Sequence, residues 1–150
     1  MAENVKPTVL IVDDSADIRV TLRLWLEAQG CRVVEAADGK QAVECARREH
    51  PALILMDLYL PELDGAVAAA RIREHAELAH VPIIAISAYG ESGIGTQLSN
   101  DPRAAGFDEY LTKPFAPEKM AELLKKYLRQ KRGGNWMLAG YSVSSDLLKQ

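Results

Sequence analysis

The sequence predicts an α/β fold in which a doubly wound, five-stranded parallel sheet carries helices on both of its faces. Two observations indicate this fold. Short apolar runs alternate five times along the chain with segments of helical periodicity, and such alternation favours a parallel sheet covered by helices. The strongest apolar runs also lack a polar residue at every second position, which is typical of strands that are buried on both faces.

The strand that organises the rest of the chain is Leu53–Asp57, in which four apolar residues run without interruption and end in a carboxylate. Pro61 and Gly65 follow shortly afterwards and mark the end of the extended segment. Ligands of open α/β sheets bind at the edge formed by the carboxyl ends of the strands, so Asp57 is predicted to lie at the binding edge. Four further strands are predicted: Thr8–Val12, Arg32–Ala36, Val81–Ile86 and Asp108–Leu111.

Five helices are predicted between and after these strands. The first begins after Ser15, a favourable N-cap, and ends at Gly30. Three glycines stand near the start of the segment between the fourth and fifth strands, so the helix of that segment is expected to be short or displaced. The second helix begins at Asp38-Gly39, the third spans Gly65–His75 and the fourth spans Thr96–Ala105. The fifth begins at Pro117. It carries an apolar stripe that consists of Met120, Leu123, Leu124, Tyr127 and Leu128.

The composition excludes several classes of protein. The 150 residues suffice for one domain with a hydrophobic core, and 48% hydrophobic with 26% charged residues is ordinary for a soluble globular protein. A net charge of −3 is too small to favour nucleic-acid binding. The sequence shows no secretory signal or membrane span, and the two cysteines, Cys31 and Cys45, have no metal or redox spacing. We therefore predict a cytoplasmic protein that binds neither nucleic acid nor membrane.

Polar side chains that could take part in catalysis or ligand binding stand at the ends of four strands. Asp13 and Asp14 follow the first strand, Asp57 ends the third, and Ser87 and Lys113 follow the fourth and the fifth. Parallel pairing brings these positions to one edge, where three carboxylates repel one another unless cations lie between them. An oxygen donor set without histidine or cysteine favours Mg²⁺ over zinc. A helix N-cap or a solvated lysine would explain each residue alone, but the joint placement favours a divalent-cation site.

Four short motifs occur together at these strand ends. They are the acidic pair Asp13-Asp14, Asp57 within ILMDLYLPELDG, Ser87, and Lys113-Pro114 within GFDEYLTKPF. The combination, which covers roughly residues 8–129, resembles the receiver domain of bacterial two-component response regulators. Motifs confirmed by their strand context are far more specific than one pattern alone. The resemblance implies a flavodoxin-like fold and a stand-alone, chemotaxis-type signalling protein.

The resemblance also implies a role for each residue of the constellation. Asp57 resembles the phosphoacceptor, whose carboxylate attacks a phosphoryl group and forms an acyl phosphate. Asp13 and Asp14 resemble the Mg²⁺-binding acids, and Asp57 with the backbone carbonyl of Tyr59 completes the implied ligand set. Lys113 resembles the lysine that contacts a phosphoryl oxygen. The protein is thus expected to be a phosphoryl-accepting switch and not an enzyme acting on other molecules.

Further roles follow from the same resemblance. Ser87 resembles the hydroxyl that turns towards the phosphoryl group, and Tyr110 resembles the aromatic residue that rotates inward behind it. Tyr59 and Tyr89 stand two residues beyond Asp57 and Ser87, where bulky rings are expected to hinder the attacking water and slow autodephosphorylation. The bond between Lys113 and Pro114 is expected to be cis, which would direct the lysine towards the site.

The expected domain organisation is a receiver over residues 1–132 and a C-terminal tail over residues 133–150, without a separate output domain. The expected partners are a histidine kinase or phosphotransfer protein and a downstream protein target that the sequence does not name. The apolar tail, which contains Trp136 and Tyr141, is expected to dock on its own receiver or on a second copy, and a homodimer through the last helix or the tail is the related prediction. A frayed end is the alternative.

Two other functions compete with the phosphorylated switch. A binding module that keeps the fold but ignores phosphorylation would not need the acidic pair, Asp57, Ser87 and Lys113 together. A flavodoxin-like cofactor binder is compatible with the fold. However, three carboxylates at the edge would repel a flavin phosphate, and no glycine-rich phosphate loop follows the first strand. Within the leading hypothesis, a diffusible switch and a relay intermediate both remain open.

Overall fold

A computed structural model of the chain describes residues 6–60, 63–87, 106–113 and 116–128. Within these ranges five parallel strands form one sheet: β1 Thr8–Val12, β2 Arg32–Ala36, β3 Leu53–Asp57, β4 Ile83–Ser87 and β5 Glu109–Thr112. The accompanying α-helices are α1 Ala16–Ala28, α2 Gly39–Glu49, α3 Gly65–Arg73 and α4 Pro117–Leu128. The strand order β2-β1-β3-β4-β5 puts β3 at the centre. The predicted doubly wound parallel α/β fold is therefore confirmed.

Two apolar layers hold the sheet between its helices. Successive residues of a strand point to opposite faces, so Leu10 and Ile54 face α2 and α3, whereas Val9 and Leu55 face α1 and α4. All four of these side chains are inaccessible to solvent, and each contributes about 1.5–3 kcal/mol by leaving water. The strands with unbroken apolar runs are thus buried on both faces of the sheet, as predicted.

Side-chain caps define where three helices begin. Ser15, Asp38 and Asp64 each accept a hydrogen bond from the backbone N–H three residues further on, which opens α1, α2 and α3. At the other end of α2, His50 closes the helix in the left-handed conformation, with φ of 50° and ψ of 60°. No helix in the described part of the chain has both the length and the apolar character needed to cross a membrane.

Three predicted bounds differ from the structure. The strand predicted over Val81–Ile86 is found over Ile83–Ser87, because Pro82 has no N–H to donate to a ladder. The strand predicted over Asp108–Leu111 is shifted to Glu109–Thr112. The helix predicted over Gly65–His75 ends at Arg73 and is followed by one turn of 3-10 helix over Ala76–Leu78.

The contacts of Arg73 account for the early end of α3. Its guanidinium donates hydrogen bonds to the carbonyls of Ala79, Val81 and Gly106 at 2.8–3.0 Å, and it contacts the Asp108 carboxylate at 3.1 Å. Asp108 in turn accepts a bond from the N–H of Ile83 at 2.9 Å. Arg73 therefore ties the end of α3 to the beginnings of β4 and β5.

Candidate functional site

The acidic pair lies in the tight turn between β1 and α1. Asp13 is 2% exposed, and its N–H donates to the carbonyl of Ala36 on β2. Its Oδ1 accepts a hydrogen bond from the N–H of Ser15 at 2.9 Å, and the Ser15 hydroxyl then caps α1. Asp14 is exposed. The turn thus presents one buried and one solvated carboxylate at the same edge of the sheet.

Asp57 ends the central strand in a nearly closed environment. It is 7% exposed, and its Oδ1 accepts a hydrogen bond from the N–H of Tyr59 at 3.1 Å. Burial raises the pKa of Asp57 above its ordinary value, and this effect outweighs the lowering by the Tyr59 hydrogen bond and by Lys113. The carboxylate is therefore held in one orientation with few waters around it.

Lys113 reaches the same edge from the end of β5. Its N–H donates to the carbonyl of Ser87 at 2.8 Å, which continues the ladder between β4 and β5 by one residue. Its Nζ lies 2.9 Å from Asp13 Oδ2 and 3.3 Å from Asp57 Oδ2. Burial alone would lower the pKa of Lys113, but the carboxylates of Asp13 and Asp57 raise it above the ordinary value. The ammonium therefore bridges the two buried carboxylates.

Among the described residues, one group of three acidic side chains could hold a metal ion. Carboxylate oxygens of Asp13, Asp14 and Asp57 all lie within 4.8 Å of one another. Three carboxylates and the Lys113 ammonium leave two negative charges at the site, which a divalent cation would balance. The donors are oxygen atoms, the ligands that Mg²⁺ prefers. The residues present thus fit a Mg²⁺ ion.

The predicted switch residues lie on the neighbouring strands. Ser87 is inaccessible to solvent and ends β4. Tyr110 stands opposite Ala85 in the ladder of β4 and β5, and it is half-buried against the apolar layer under α2 and α3. The side chain of Tyr59 is 37% exposed at the rim of the site.

Several predictions concern residues outside those that the structure describes. They are the shielding role of Tyr89, the cis bond before Pro114, the helix over residues 96–105 and the docking of the tail over residues 133–150.

Two residues next to the site were given no role there by the sequence analysis. Arg19 of α1 donates a hydrogen bond to the backbone carbonyl of Asp13 at 2.7 Å. Its one local signal is a basic side chain near the N-terminus of a helix, where the macrodipole disfavours positive charge. Gly65 opens α3 so close to β3 that a β-carbon there would lie 2.6 Å from the carbonyl oxygen of Asp57. The motif LPELDG contains this glycine, but only the contact explains it.

Comparison with known proteins places the chain among signalling proteins. A family model described as the response regulator receiver domain matches residues 9–125. The transcriptional regulatory protein SrrA of Staphylococcus aureus is 38% identical over 126 residues, a match that covers 81% of this chain and 48% of that protein. The chain therefore spans about half the length of the curated relatives it matches.

Two solved structures are informative about the site. The receiver domain of the sensor histidine kinase PA1611 from Pseudomonas aeruginosa PAO1, with a magnesium ion coordinated in its active-site cleft, is 33% identical. It has a TM-score of 0.75 over 84% of this chain and 100% of its own. The receiver domain of Ssk1 from Saccharomyces cerevisiae, crystallised with the histidine phosphotransfer protein Ypd1, is similar at 27% identity and a TM-score of 0.70. That match covers 81% of this chain and 88% of the other. The sheet topology, the acidic edge and the family match lead to one conclusion: the chain belongs to the response regulator receiver family.

Proposed function

We propose that this protein is a signalling switch that accepts a phosphoryl group on Asp57 and thereby changes its affinity for a partner protein. One observation carries the proposal. The buried carboxylate of Asp57 lies 3.3 Å from the Lys113 ammonium and within 4.8 Å of two further carboxylates. This arrangement combines a nucleophile, a fixed cation and a metal-ligand set at the carboxyl edge of the sheet.

The chain's own residues supply the orientation for phosphoryl transfer. The Tyr59 N–H fixes one oxygen of Asp57, and the Lys113 ammonium faces the other. An oxygen of Asp57 attacks the phosphorus of a phosphohistidine and forms a new P–O bond. The P–N bond breaks, and the imidazole of the donor leaves with the electron pair and takes up a proton. Positioning and electrostatics provide most of the catalysis in such transfers, and Lys113 is placed to balance negative charge on the phosphoryl oxygens.

The proposal includes a Mg²⁺ ion held by Asp13, Asp14 and Asp57, with the backbone carbonyl of Tyr59 as the remaining protein ligand. When bound, the ion would neutralise charge on the phosphoryl oxygens. The cluster of carboxylate oxygens and the excess of two negative charges support this assignment. The magnesium ion in the related receiver domain of PA1611 agrees with it.

We further propose that Ser87 and Tyr110 form the switch and that the rings of Tyr59 and Tyr89 slow autodephosphorylation. The position of Ser87 at the end of β4, next to the strand that carries Asp57, supports the first part. For the second part, a Tyr89→Ala protein should lose its phosphoryl group faster than wild type, because a smaller side chain opens the approach of water. Equal half-lives would exclude Tyr89 as a shield.

The remaining elements of the proposal concern partners and organisation. The donor is a histidine kinase or a histidine phosphotransfer protein, and the complex of Ypd1 with the receiver of Ssk1 supports the second kind of donor. We propose a cytoplasmic protein whose last helix α4 or tail binds a partner or forms a homodimer. Sedimentation of the phosphorylated and unphosphorylated full chain distinguishes a homodimer from a monomeric switch.

One experiment tests the central proposal. The protein is incubated with Mg²⁺ and a small acyl-phosphate donor, and the added phosphoryl group is detected by intact mass. Wild type should gain one phosphoryl group, and Asp57→Asn should gain none. Asp17→Asn, which changes an exposed carboxylate in the first turn of α1, is the matched control and should behave as wild type. Phosphate on Asp57→Asn at the wild-type level would refute the assignment.

A further inference from the structure

The guanidinium of Arg19 connects the acidic turn to the edge strand of the sheet. Its Nη1 donates to the carbonyl oxygen of Asp13 at 2.7 Å, and its Nε contacts Glu35 Oε1 on β2 at 2.9 Å. The second oxygen of Glu35 lies 2.6 Å from Nε of Arg23, one turn further along α1. Arg19 is 18% exposed in its side chain, so these contacts form in a largely buried setting where hydrogen bonds to charged groups are strong.

The carbonyl that Arg19 holds belongs to the peptide group joining the two acids. A peptide group is planar, so fixing the oxygen of Asp13 also fixes the direction in which the chain enters Asp14. The side chain of Asp13 is fixed separately by Ser15 and Lys113. Within the described part of the chain, in contrast, the side chain of Arg19 is the one group that contacts this carbonyl. The relative positions of the two carboxylates therefore depend on Arg19.

We propose that Arg19 is a positioning residue for the metal site, which holds the peptide plane of Asp13 and Asp14 in the orientation that Mg²⁺ binding requires. The proposal rests on the proposed function, in which these two acids are ligands. Arg19 itself does not touch the ligand oxygens; it acts through the backbone between them. Partners that orient metal ligands typically change metal affinity by about tenfold to 100-fold when they are removed.

The geometry explains why an arginine serves at this position. Side chains of a helix lean towards its N-terminus, and Arg19 lies in the first turn of α1, with its N–H bonded to the carbonyl of Ser15. The side chain can therefore reach back to Asp13. The rigid fork of a guanidinium offers donors in two directions at once, one for Asp13 and one for Glu35. A lysine ammonium would have to choose between these partners or compromise its contact with each.

Charge and positioning make opposite predictions for the loss of Arg19. A positive charge near the acidic pair repels Mg²⁺, so its removal alone should tighten metal binding. Loss of the fixed peptide plane should weaken metal binding. The sign of the change in affinity therefore separates the two effects.

The experiment measures Mg²⁺ affinity of the unphosphorylated full chain by calorimetric titration with MgCl₂ at constant ionic strength. The variants are Arg19→Met, which keeps the apolar stem, and Arg23→Met, which removes the same charge one turn away and contacts Glu35 but not Asp13. Arg19→Met should bind Mg²⁺ about tenfold more weakly than wild type. Arg23→Met should stay within about twofold of wild type or bind slightly more tightly.

Equal affinities of Arg19→Met and Arg23→Met, with wild type binding normally, would overturn the role of Arg19 and leave the proposed function intact. A wild-type protein that binds no Mg²⁺ would overturn both. Should Arg19→Met fail to fold, Arg19→Lys replaces it: the charge is retained, so weaker binding than wild type supports positioning, and wild-type affinity contradicts it. As a second measurement, the metal-free amide resonances of Asp14 and Ser15 should shift in the Arg19 variants and not in Arg23→Met.

Discussion

A methyl group added at Gly65 should disable the site without touching any of its side chains. A β-carbon at this position would lie 2.6 Å from the carbonyl oxygen of Asp57 and 3.0 Å from the Cα of Leu58. Ordinary van der Waals contact begins at 3.4 Å, so α3 and the end of β3 would have to separate by about 0.8 Å. The N–H of Gly65 donates to the carbonyl of Leu58 at 3.0 Å, and this bond resists movement of the helix alone. The end of β3 is therefore expected to move as well.

The size of the effect follows from these distances. Overpacking of this kind costs about 1–3 kcal/mol of folding free energy. Asp57 Oδ2 lies 3.3 Å from Lys113 Nζ, and a shift of several tenths of an ångström would break that contact. A misplacement of about 1 Å can cost about 100-fold in rate, so Gly65→Ala should be phosphorylated about tenfold to 100-fold more slowly than wild type.

The assay follows the phosphorylated fraction over time by intact mass, with Mg²⁺ and an excess of a small acyl-phosphate donor. Ile72→Val is the matched control, because Ile72 lies buried on the same helix and its truncation costs about 0.5–1.5 kcal/mol. Urea unfolding verifies that both variants are folded under the assay conditions. If Gly65→Ala is phosphorylated as fast as Ile72→Val and wild type, the close approach of Gly65 to Asp57 does not set the position of the proposed phosphoacceptor, and the prediction is wrong.

Three further predictions concern charge and backbone conformation. Lys113→Met should bind Mg²⁺ several-fold more tightly than wild type, because the ammonium that pairs with the buried carboxylates is lost. The same variant should be phosphorylated more slowly. Weaker Mg²⁺ binding by the variant in calorimetry would contradict the first expectation. Burial raises the pKa of Glu109, but hydrogen bonds from Lys126 and Tyr127 lower it by more, so the pKa lies below its ordinary value. The ionised Glu109 therefore contributes less than about 1 kcal/mol to the free energy of unfolding. This contribution is present above pH 4.5 and is lost as the pH falls below that value. Urea unfolding should show that Glu109→Gln is less stable than wild type at pH 7 and equally stable in acid. His50→Gly should raise stability by up to about 1 kcal/mol and His50→Val should lower it, because the left-handed conformation strains β-branched residues; the reverse order would refute the strain.

The sequence predicted the strands well where burial alone defines them. The bounds of β1, β2 and β3 agree with the prediction, because their apolar runs are flanked by charged or turn-forming residues. The errors at β4 and β5 involve contacts over long range. Asp108, predicted as a strand residue, instead directs its carboxylate to the N–H of Ile83 and to Arg73, and no local pattern indicates partners more than twenty residues away.

The sequence predicted which residue types lie at the site, but not which of the charged side chains pair with one another. Residue types at the strand ends indicated which edge would carry the acids and the lysine, because parallel strands end on the same side. Lys113 was expected to contact a phosphoryl oxygen on Asp57, and the structure places its ammonium closer to Asp13 than to Asp57. Side-chain rotamers and distances across three strands decide that preference. The bond from Arg19 to the backbone of Asp13 lies outside the reach of sequence patterns for the same reason.

The charge at the site suggests how phosphorylation would become a structural signal. One lysine and one bound divalent cation would balance the three carboxylates, but a phosphoryl group would replace the single charge of Asp57 by about two. An excess charge at a 7% exposed position requires additional hydrogen-bond donors. Ser87, at the end of the neighbouring strand, offers a hydroxyl, and its carbonyl already binds the N–H of Lys113. A movement of Ser87 towards the phosphoryl group would therefore pull on the ladder between β4 and β5, in which Tyr110 stands opposite Ala85, and would carry the signal to the surface beside β5.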